Sequence, residues 1–276
     1  MLMKKEISRS TYIFLDQFRI NPRKSDLKLL SRIVADFASL PWENLSKYLK
    51  KGKIVQAGGS RGELLRESEE VLRGYALQGT GGTCFSLCNA LLRICRDLGF
   101  HAEPVMADMR HGENIHCGLI VHLQARRFYL DPGYLLPEAV ELLQGQIAQA
   151  SAPGHRLEYR PLGDRDEFEL FTVNKRGGET FRYRLRPWPV AEPVFRRFWL
   201  QSFDSSGMNS LYLNRLEARG RLSAHNYNLR VDRGDSKQNV KLKGVYVDKI
   251  VSEFGLSEQV VEEALSLWKR NRGLDD

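Results

Sequence analysis

Cysteine is scarce in this sequence, and its few positions lie close together. The 276 residues include four cysteines, namely Cys84, Cys88, Cys95 and Cys117. A disulfide framework spreads its pairs along the chain, so we expect reduced thiols here. A zinc site is the alternative, but the CxxC spacing of a zinc knuckle is missing and the first three cysteines follow helical spacing instead. The sequence therefore predicts neither disulfides nor a metal cofactor.

Long apolar runs are also missing from the beginning of the chain. The first twenty residues, MLMKKEISRSTYIFLDQFRI, carry charges throughout and offer no uninterrupted apolar segment. This pattern argues against a signal peptide and against a membrane-spanning helix. We therefore expect a cytoplasmic protein without a membrane partner.

Positive charge is in excess but is not concentrated. The formal net charge is +8, which suits an anionic ligand such as a phosphate-bearing cosubstrate. The basic residues of Lys50–Lys53 and of the region 176–197 are separated by apolar positions, and no RNP-like motif is present. A nucleic-acid-binding module is therefore the weaker hypothesis, and we expect no nucleic acid partner.

The periodicity of apolar residues changes near residue 100. Before it the pattern is helical, as in SDLKLLSRIVADFASL, where Ser25 is a plausible N-cap. Residues 50–83 are rich in glycine and predict a loop-rich approach with one amphipathic segment over Glu63–Leu72. After Gly99 the period is two, which predicts strands over AEPVMADM, IHCGLIVHL, RRFYLD, RLEYRPL, FELFTV and TFRYRLRP.

The end of the chain mixes both periods. The segment LQSFDSSGMNS is polar and loop-like, LSAHNYNLRVD and NVKLKGVYV predict strands, and a helix is expected from about Ser257 to Arg270. Helices followed by a sheet and a mixed tail predict an α+β fold. We expect an N-terminal helical bundle over 1–100, a central antiparallel β-barrel or sheet over 101–195, and a C-terminal α/β lid over 196–276.

The stretch GGTCFSLCNALLRICRDLGF, residues 81–100, predicts a helix with a cysteine in its first turn. Apolar positions at helical spacing form a buried stripe that includes Cys84, Cys88 and Cys95, and Gly99 ends the helix. A helix N-terminus stabilises a thiolate, and only Cys84 has that position. The two preceding glycines would let the backbone approach a substrate carbonyl and hold an oxyanion. Taken alone, Cys84 is more often a small buried apolar residue than a nucleophile.

A histidine and an aspartate that could activate this cysteine occur in NIHCGLIVHLQARRFYLDPGY. If residues 124–126 form a hairpin tip, His116 and Asp131 lie within about two positions of being directly opposite. We expect His116 Nδ1 to bond to Asp131, leaving Nε2 to face the thiol of Cys84. His111, in a loop, and His122, near the hairpin tip, are the weaker candidates for the base.

The segments GGTCF, IHCGLIV and YLDPGY together resemble the Cys-His-Asp core of the arylamine N-acetyltransferases. That family belongs to the broader transglutaminase-like and papain-like group, with a cysteine-proteinase-like fold. The upstream LPWENLSKYL is similar to the family's Ile-Pro-Phe-Glu-Asn-Leu signature. SFDSSGMNSLYLNRLEARGRLS and VSEFGLS resemble its third-domain patterns more loosely, so the resemblance covers roughly residues 25–257, as in a divergent member.

The resemblance implies a ping-pong acyl transfer. Cys84 would accept an acyl group from acetyl-coenzyme A or another acyl-coenzyme A as a thioester, with His116 and Asp131 activating it. A small-molecule amine would then accept the acyl group. Gly133 and Tyr134 would contact the coenzyme.

Two departures from the family pattern keep an alternative open. The family usually has Arg-Gly-Gly-x-Cys-Phe-Glu, whereas Thr80 and Ser86 stand here for the arginine and the glutamate, so the charged pair is expected to be absent. The family's Asp-Val-Gly-Phe-Gly becomes Asp131-Pro132-Gly133-Tyr134-Leu135. The LDPGY form favours the alternative, a transglutaminase-like amide hydrolase or peptidase, or a macrolactam-type amide synthase, that uses the same three residues.

Overall fold

A computed structural model describes residues 7–152, 155–218, 220–233 and 236–274. The helices are α1 (Arg9–Gln17), α2 (Leu27–Phe37), α3 (Leu45–Gln56), α4 (Ser68–Gln78), α5 (Cys84–Asp97), α6 (Glu192–Gln201), α7 (Tyr246–Phe254) and α8 (Glu258–Asn271). Short 3-10 helices cover Arg61–Leu64 and Ser206–Asn209. Within the described ranges, no helix combines the length and apolarity needed to cross a lipid bilayer.

The strands form two antiparallel sheets. They are β1 (Trp42–Glu43), β2 (His101–Met109), β3 (Gly112–Leu123), β4 (Arg126–Leu130), β5 (Val140–Glu141), β6 (Ala148–Ala152), β7 (His155–Pro161), β8 (Phe168–Asn174), β9 (Glu179–Pro189), β10 (Tyr212–Glu217), β11 (Gly220–His225), β12 (Asn228–Arg233) and β13 (Ser236–Lys241). The larger sheet has the order β5-β4-β3-β2-β9-β8-β7-β6 and the smaller one β1-β10-β11-β12-β13. This arrangement confirms the α+β class.

The N-terminal helices pack around α5. The side chain of Asp26 accepts a hydrogen bond from Leu29 N, so Asp26 rather than Ser25 is the N-cap of α2. Ser25 Oγ instead donates to the carbonyl of Leu98 at 2.5 Å. The predicted N-cap was therefore wrong by one residue, because Ser25 is used to hold the C-terminal end of α5.

The region predicted to be rich in loops contains two helices, α3 and α4. Gly52 lies within α3, where an added Cβ would be 3.1 Å from Leu267 Cδ1 of α8. This glycine allows α3 and α8 to pack closely, although it weakens the local helical signal. The amphipathic segment expected over Glu63–Leu72 is in fact the 3-10 turn followed by the start of α4.

The eight-stranded sheet curls so that its end strands β5 and β6 lie near each other, which makes it a nearly closed barrel. One face of its strands packs on α5 and the other faces an interior lined by aliphatic side chains and by three buried tyrosines, Tyr129, Tyr159 and Tyr183. The β3–β4 hairpin turns at Gln124, which has a φ of 58°. The predicted hairpin tip is confirmed.

The five-stranded sheet packs against α3, α7 and α8. The single strand predicted over LSAHNYNLRVD is the β11–β12 hairpin, which turns at Asn226 with a φ of 48°. The strand predicted over NVKLKGVYV ends at Lys241, and Tyr246 already begins α7. The expected closing helix is confirmed as α8, with Ser257 as its N-cap. The domain boundaries near residues 100 and 195 remain predictions.

Candidate active site

Cys84 is the first residue of α5, as the sequence predicts. Thr83 is the N-cap, and among the described residues its side chain accepts no capping hydrogen bond from the first turn. The first-turn N–H groups are therefore not used by that side chain, and the positive end of the helix dipole lies at the residue that carries the thiol. Cys95 lies in the same helix in an apolar environment, where burial raises the pKa of its thiol to about 12. The two cysteines are thus chemically different despite sharing one helix face.

The surroundings of Cys84 favour its thiolate. A hydrogen bond from the Cys117 thiol and the adjacent His116 imidazolium together lower the pKa of Cys84 well below its ordinary value, although burial acts in the opposite direction. Burial and the hydrogen bond with Cys84 raise the pKa of Cys117. The Cys117 thiol therefore stays protonated and can donate a hydrogen bond to Cys84. No role was predicted for Cys117. It lies on β3, far from Cys84 in sequence, and the two residues come together only because β3 packs on α5.

His116 and Asp131 come together across the β3–β4 pair. The register pairs Leu119 with Leu130, so Asp131 lies two residues away from the position directly opposite His116, as predicted. Both carboxylate oxygens of Asp131 are 3.1 Å from His116 Nε2. The predicted choice of nitrogen was wrong: Nε2 bonds to the carboxylate, which leaves Nδ1 for the thiol. The reason is that β4 approaches the ring from the side of its distal nitrogen.

The charge of Asp131 controls the imidazole. Burial lowers the pKa of His116, but the charge and hydrogen bond of Asp131 outweigh it and raise the pKa to about 10. The interaction with Cys84 adds to this increase. At neutral pH the site is therefore an imidazolium next to a thiolate.

Asp131 is fully buried and has other donors besides His116. Tyr183 Oη donates to Oδ2 at 2.5 Å, and the backbone N–H of Tyr134 donates to Oδ1 at 2.8 Å. The Tyr183 ring also lies 4.6 Å from the His116 ring, centroid to centroid. Tyr183 was not among the predicted site residues. It comes from β9, far along the chain from Asp131, and no local motif marks it.

Gly133 and Tyr134 lie beside the three residues just described. A Cβ added at Gly133 would be 2.6 Å from Cys84 Cβ and 2.9 Å from His116 Cε1. Glycine at this position therefore provides the space in which the thiol and the imidazole meet. The carbonyl of Tyr134 accepts a hydrogen bond from Arg221 Nη2 at 2.7 Å. Their expected contact with the coenzyme remains a prediction.

The two glycines before Cys84 serve a different purpose from the one predicted. Gly82 N donates to the carbonyl of Pro41 at 3.3 Å, and Glu43 N donates to the carbonyl of Gly82 at 3.0 Å. A Cβ at Gly81 would collide with the Pro41 carbonyl. The close backbone approach is thus made to the Pro41–Glu43 segment rather than to a substrate, and Gly82 N is already used.

Thr80 and Ser86 lie next to the buried side chain of Arg66. At these two positions the family pattern has an arginine and a glutamate. A Cβ at Gly74 would be 2.5 Å from Thr80 Oγ1 and 3.2 Å from Arg66 Nη2. Arg66 Nη1 also lies 3.4 Å from the Cβ position of Gly82, whose other neighbour is the Ser86 side chain. The Arg66 guanidinium therefore lies close to both positions, while the family's own charged pair is absent here, as the sequence predicts, because Thr80 and Ser86 are neutral.

Arg66 has a buried acidic partner in the PWENL segment. Its Nη1 is 3.8 Å from Glu43 Oε1 and donates to the carbonyl of Gly81 at 2.8 Å. Ser46 connects the two charges, since its Oγ donates to Glu43 Oε1 at 2.5 Å and contacts Arg66. The pair fastens the Gly81–Gly82 backbone that precedes Cys84. The sequence contains no motif for Arg66, and its role follows from packing alone.

A buried lysine completes the charges near Cys84. Lys47 Nζ donates to the carbonyl and hydroxyl oxygens of Ser202 at 2.8 and 2.7 Å, and lies 4.2 Å from the centroid of the Phe203 ring. Burial lowers the pKa of Lys47 to about 8, and the charge of Cys84 partly opposes this. Lys47 thus joins α3 to the residues that follow α6.

The two competing histidines lie elsewhere. His111 is exposed in the turn between β2 and β3. His122 lies at the far end of β3, with Nε2 3.4 Å from Glu103 Oε2. The structure brings neither of them to Asp131, in agreement with their lower rank.

Comparison by sequence gives no relatives: no protein-family model matches the chain, and no curated protein sequence matches it. Comparison by structure finds similar proteins. An arylamine N-acetyltransferase from Mycobacterium smegmatis superposes with a TM-score of 0.74 at 19% identity, covering 95% of this chain and 98% of the other. The Mycobacterium marinum enzyme, solved in complex with CoA, gives 0.74 at 14% identity, covering 92% and 98%.

A third similar structure carries a variation in its triad. The NAT3 enzyme from Bacillus cereus, described with a unique Cys-His-Glu catalytic triad, has a TM-score of 0.69 at 16% identity, covering 91% of this chain and 100% of the other. Coverage is nearly complete on both sides in all three cases, so the likeness extends over the whole architecture. This chain has the fold of the arylamine N-acetyltransferases.

Proposed function

We propose that this protein is a cysteine-dependent acyltransferase that moves an acyl group, in the simplest case acetyl, from acyl-coenzyme A to a small-molecule amine. The observation that supports this most directly is the buried His116–Asp131 pair beside Cys84, with both carboxylate oxygens 3.1 Å from His116 Nε2 and with Gly133 close to both Cys84 and His116. A thiolate with an adjacent histidine suits acyl transfer.

In the first half-reaction the Cys84 thiolate attacks the carbonyl carbon of the acyl-coenzyme A thioester. The carbonyl oxygen becomes an oxyanion, and the backbone N–H groups at the start of α5 are the donors that we assign to it. When the tetrahedral intermediate collapses, the carbon–sulfur bond to the coenzyme breaks. His116 then gives the proton on Nδ1 to the departing sulfur.

In the second half-reaction the amine attacks the carbonyl carbon of the acyl-Cys84 thioester. His116, now neutral, accepts the proton that the amine nitrogen loses. The bond to Cys84 Sγ breaks, which releases the amide and restores the thiolate–imidazolium pair. Asp131 keeps the ring oriented and stabilises its charge in both halves.

Coenzyme A is the proposed donor carrier because the Mycobacterium marinum protein of the same fold was solved in complex with CoA. The net charge of +8 agrees with a phosphate-bearing cosubstrate. We place Gly133 and Tyr134 against the acyl end of the donor, because Gly133 lies directly over Cys84 and His116. A cytoplasmic location, where acyl-coenzyme A is made, is part of the same proposal.

Intact-protein mass spectrometry tests the proposal. Incubation with acetyl-coenzyme A should add one acetyl group, and the adduct should disappear when an arylamine is added. The adduct should be absent from Cys84→Ala and present in Cys88→Ala, which removes a thiol one helical turn further along α5. Failure of a panel of acyl-coenzyme A donors to form an adduct on the folded protein would refute the donor assignment.

The same experiment distinguishes the alternative suggested by the LDPGY segment. A transglutaminase-like amide hydrolase or a macrolactam-type amide synthase would leave acetyl-coenzyme A unreacted. It would form a Cys84 adduct with a peptide amide or a carrier-bound thioester instead. Such an outcome would keep the roles of Cys84, His116 and Asp131 and replace the donor.

A further inference from the structure

A second cluster of chemistry-bearing side chains lies at the opposite end of the β2–β3 pair from the candidate active site. His101 is the first residue of β2 and is directly opposite His122 of β3. Glu103 is two residues further along β2, on the same face of the sheet as His101 because side chains alternate along a strand. The proposed acyl transfer uses none of these three residues.

The three side chains converge on one point. Glu103 Oε2 lies 3.6 Å from His101 Nε2 and 3.4 Å from His122 Nε2. All three atoms lie within 4.8 Å of one another. A tetrahedral zinc ion with bonds of about 2.0–2.1 Å holds its ligand atoms roughly 3.3–3.4 Å apart. The two distances to Glu103 nearly match that spacing, so only the separation of the two imidazoles must decrease.

The backbone beneath the cluster is firmly held. Ala102 and Val121 lie on the reverse face, where both are buried against the helical core. The ligand side chains themselves are accessible, with His101 69% exposed and His122 35% exposed. An ion can therefore enter from solvent and bind to three side chains that already lie close together. A water molecule would occupy the fourth coordination position.

Arg127, a positively charged residue next to the cluster, forms an ion pair with Asp166. Arg127 of β4 is paired in register with His122. Its guanidinium makes two hydrogen bonds to the carboxylate of Asp166, at 2.5 and 2.8 Å. Glu103 thus remains directed toward the two imidazoles, and the Arg127 charge is offset locally.

We propose that His101, Glu103 and His122 bind a divalent transition-metal ion of the zinc type. Two imidazoles and one carboxylate form a donor set that suits zinc and its borderline neighbours rather than calcium or magnesium. The ion would link the start of β2 to the end of β3, directly after the C-terminal end of α5. The site is separate from the cysteine chemistry, because six residues of strand place His122 about 20 Å from His116.

Isothermal titration of the metal-free protein with zinc chloride tests this site. A Cys84→Ala background prevents the reactive thiolate from competing for the ion. We expect one equivalent to bind, and we expect His101→Ala, His122→Ala and Glu103→Gln each to weaken binding by at least about tenfold. His111→Ala, which removes an exposed histidine from the turn at the other end of the β2–β3 pair, should bind like the background protein.

Thermal unfolding provides a second readout on the same variants. Saturating zinc should raise Tm by roughly 2–4 °C or more, because the ion binds the folded state, and the increase should be lost with His101 or His122. Absence of zinc binding in the background protein would overturn the proposal, as would binding that persists unchanged in the His101→Ala, His122→Ala double variant. Neither measurement depends on acyl transfer.

Discussion

Asp131 and His116 lie on neighbouring antiparallel strands two residues out of direct register, and that offset brings both carboxylate oxygens within 3.1 Å of Nε2. Direct opposition would place the two side chains side by side on the sheet surface. The offset instead lets the carboxylate, at the end of β4, reach the far nitrogen of the ring. Nδ1 is thereby left for Cys84.

Replacing Asp131 with asparagine should remove the charge that keeps His116 protonated. Burial would then dominate and lower the pKa of His116, and the Cys84 thiolate would lose its cationic partner. We expect the rate of Cys84 acylation to fall by about 10²–10⁴-fold at neutral pH. Stopped-flow or quenched acylation on protein with an unchanged circular dichroism spectrum measures this, and a rate within about threefold of the wild type would contradict it.

Alkylation of Cys84 by iodoacetamide should be nearly independent of pH from about 7 to 9. The pKa of Cys84 is lowered by Cys117 and by His116, so the thiolate is already formed and the rate falls only when acid protonates it. In His116→Ala the imidazolium is lost and burial still opposes the thiolate, so the rate should instead rise with pH, even though the Cys117 hydrogen bond remains. Cys84→Ala identifies the labelled thiol, and a wild-type rate that rises tenfold per pH unit would refute the ion pair.

The same ion pair predicts how stability depends on pH. The pKa of His116 is raised from 6.5 to about 10 in the folded protein. Its charged form therefore contributes stability that is complete below pH 6.5, declines above it and is lost as the pH rises through about 10. The lowered pKa of Cys84 acts in the opposite direction up to about pH 8.5, where an ordinary thiol ionises, so the net loss is expected above that pH. Urea unfolding from about pH 8.5 to 10 should show a loss that is smaller in His116→Ala, and equal losses in the two proteins would contradict the assignment.

Gly133→Ala should disable the site while leaving the fold intact. The added Cβ would lie 2.6 Å from Cys84 Cβ and 2.9 Å from His116 Cε1, so the thiol and the imidazole must separate. We expect acylation to fall by about 10²-fold, the effect of a misplacement near 1 Å. Gly62→Ala, at a glycine without a positive φ whose added Cβ would meet only Ser60 Oγ at 3.9 Å, is the control for a general effect of the substitution. Full activity in Gly133→Ala would show that the contact is not needed.

At position 135 we expect the glycine variant to be more stable than the alanine variant, which is the reverse of the usual order of stability. Leu135 has a φ of 56°, in the left-handed region, and its side chain is buried in the helical core. Leu135→Ala should cost about 2–5 kcal/mol through the cavity it leaves. Leu135→Gly leaves the same cavity but relieves about 1–2 kcal/mol of backbone strain, so it should be the more stable of the two. Denaturant unfolding of both variants decides the order.

Arg66→Met should be strongly destabilising, because it leaves the buried carboxylate of Glu43 without its cation. The expected loss is about 3–5 kcal/mol in the free energy of unfolding. The double variant Arg66→Met, Glu43→Gln should recover part of that loss. Arg73→Met, which removes an exposed partner of Glu69 from α4, should cost about 1 kcal/mol or less. A similar cost for Arg66→Met and Arg73→Met would refute the bracing role.

The features that could be predicted from sequence are those carried by short stretches of chain. Period-two patterns located β2, β3, β4, β7, β8 and β9, and the turn after Leu123 placed His116 near Asp131. The choice of imidazole nitrogen failed, because it depends on the side from which a neighbouring strand approaches the ring. Alternation along a strand does not contain that information.

The features that could not be predicted depend on contacts between distant parts of the chain. Tyr183 reaches Asp131 from β9, and Arg66 lies close to Thr80 and Ser86 from the turn before α4. Thr80 and Ser86 are neutral, and nothing in the sequence around them indicates that the side chain of Arg66 packs nearby. Glycines in α3 and before Cys84 were assigned to loops or to substrate, whereas they allow helices and backbone segments to pack closely.

Strand β1 has a consequence for the order in which the nucleophile becomes reactive during synthesis. Its two residues pair with Leu213 and Asn214 of β10, while Trp42 bridges to Gly82, two residues before Cys84. The support of Cys84 is therefore completed by a strand translated long after the cysteine itself, as is Tyr183 of β9. A nascent chain that has emerged from the ribosome only as far as α5 lacks His116, Asp131 and β10, so we expect its Cys84 to have the lower reactivity of an ordinary thiol until most of the protein has been made.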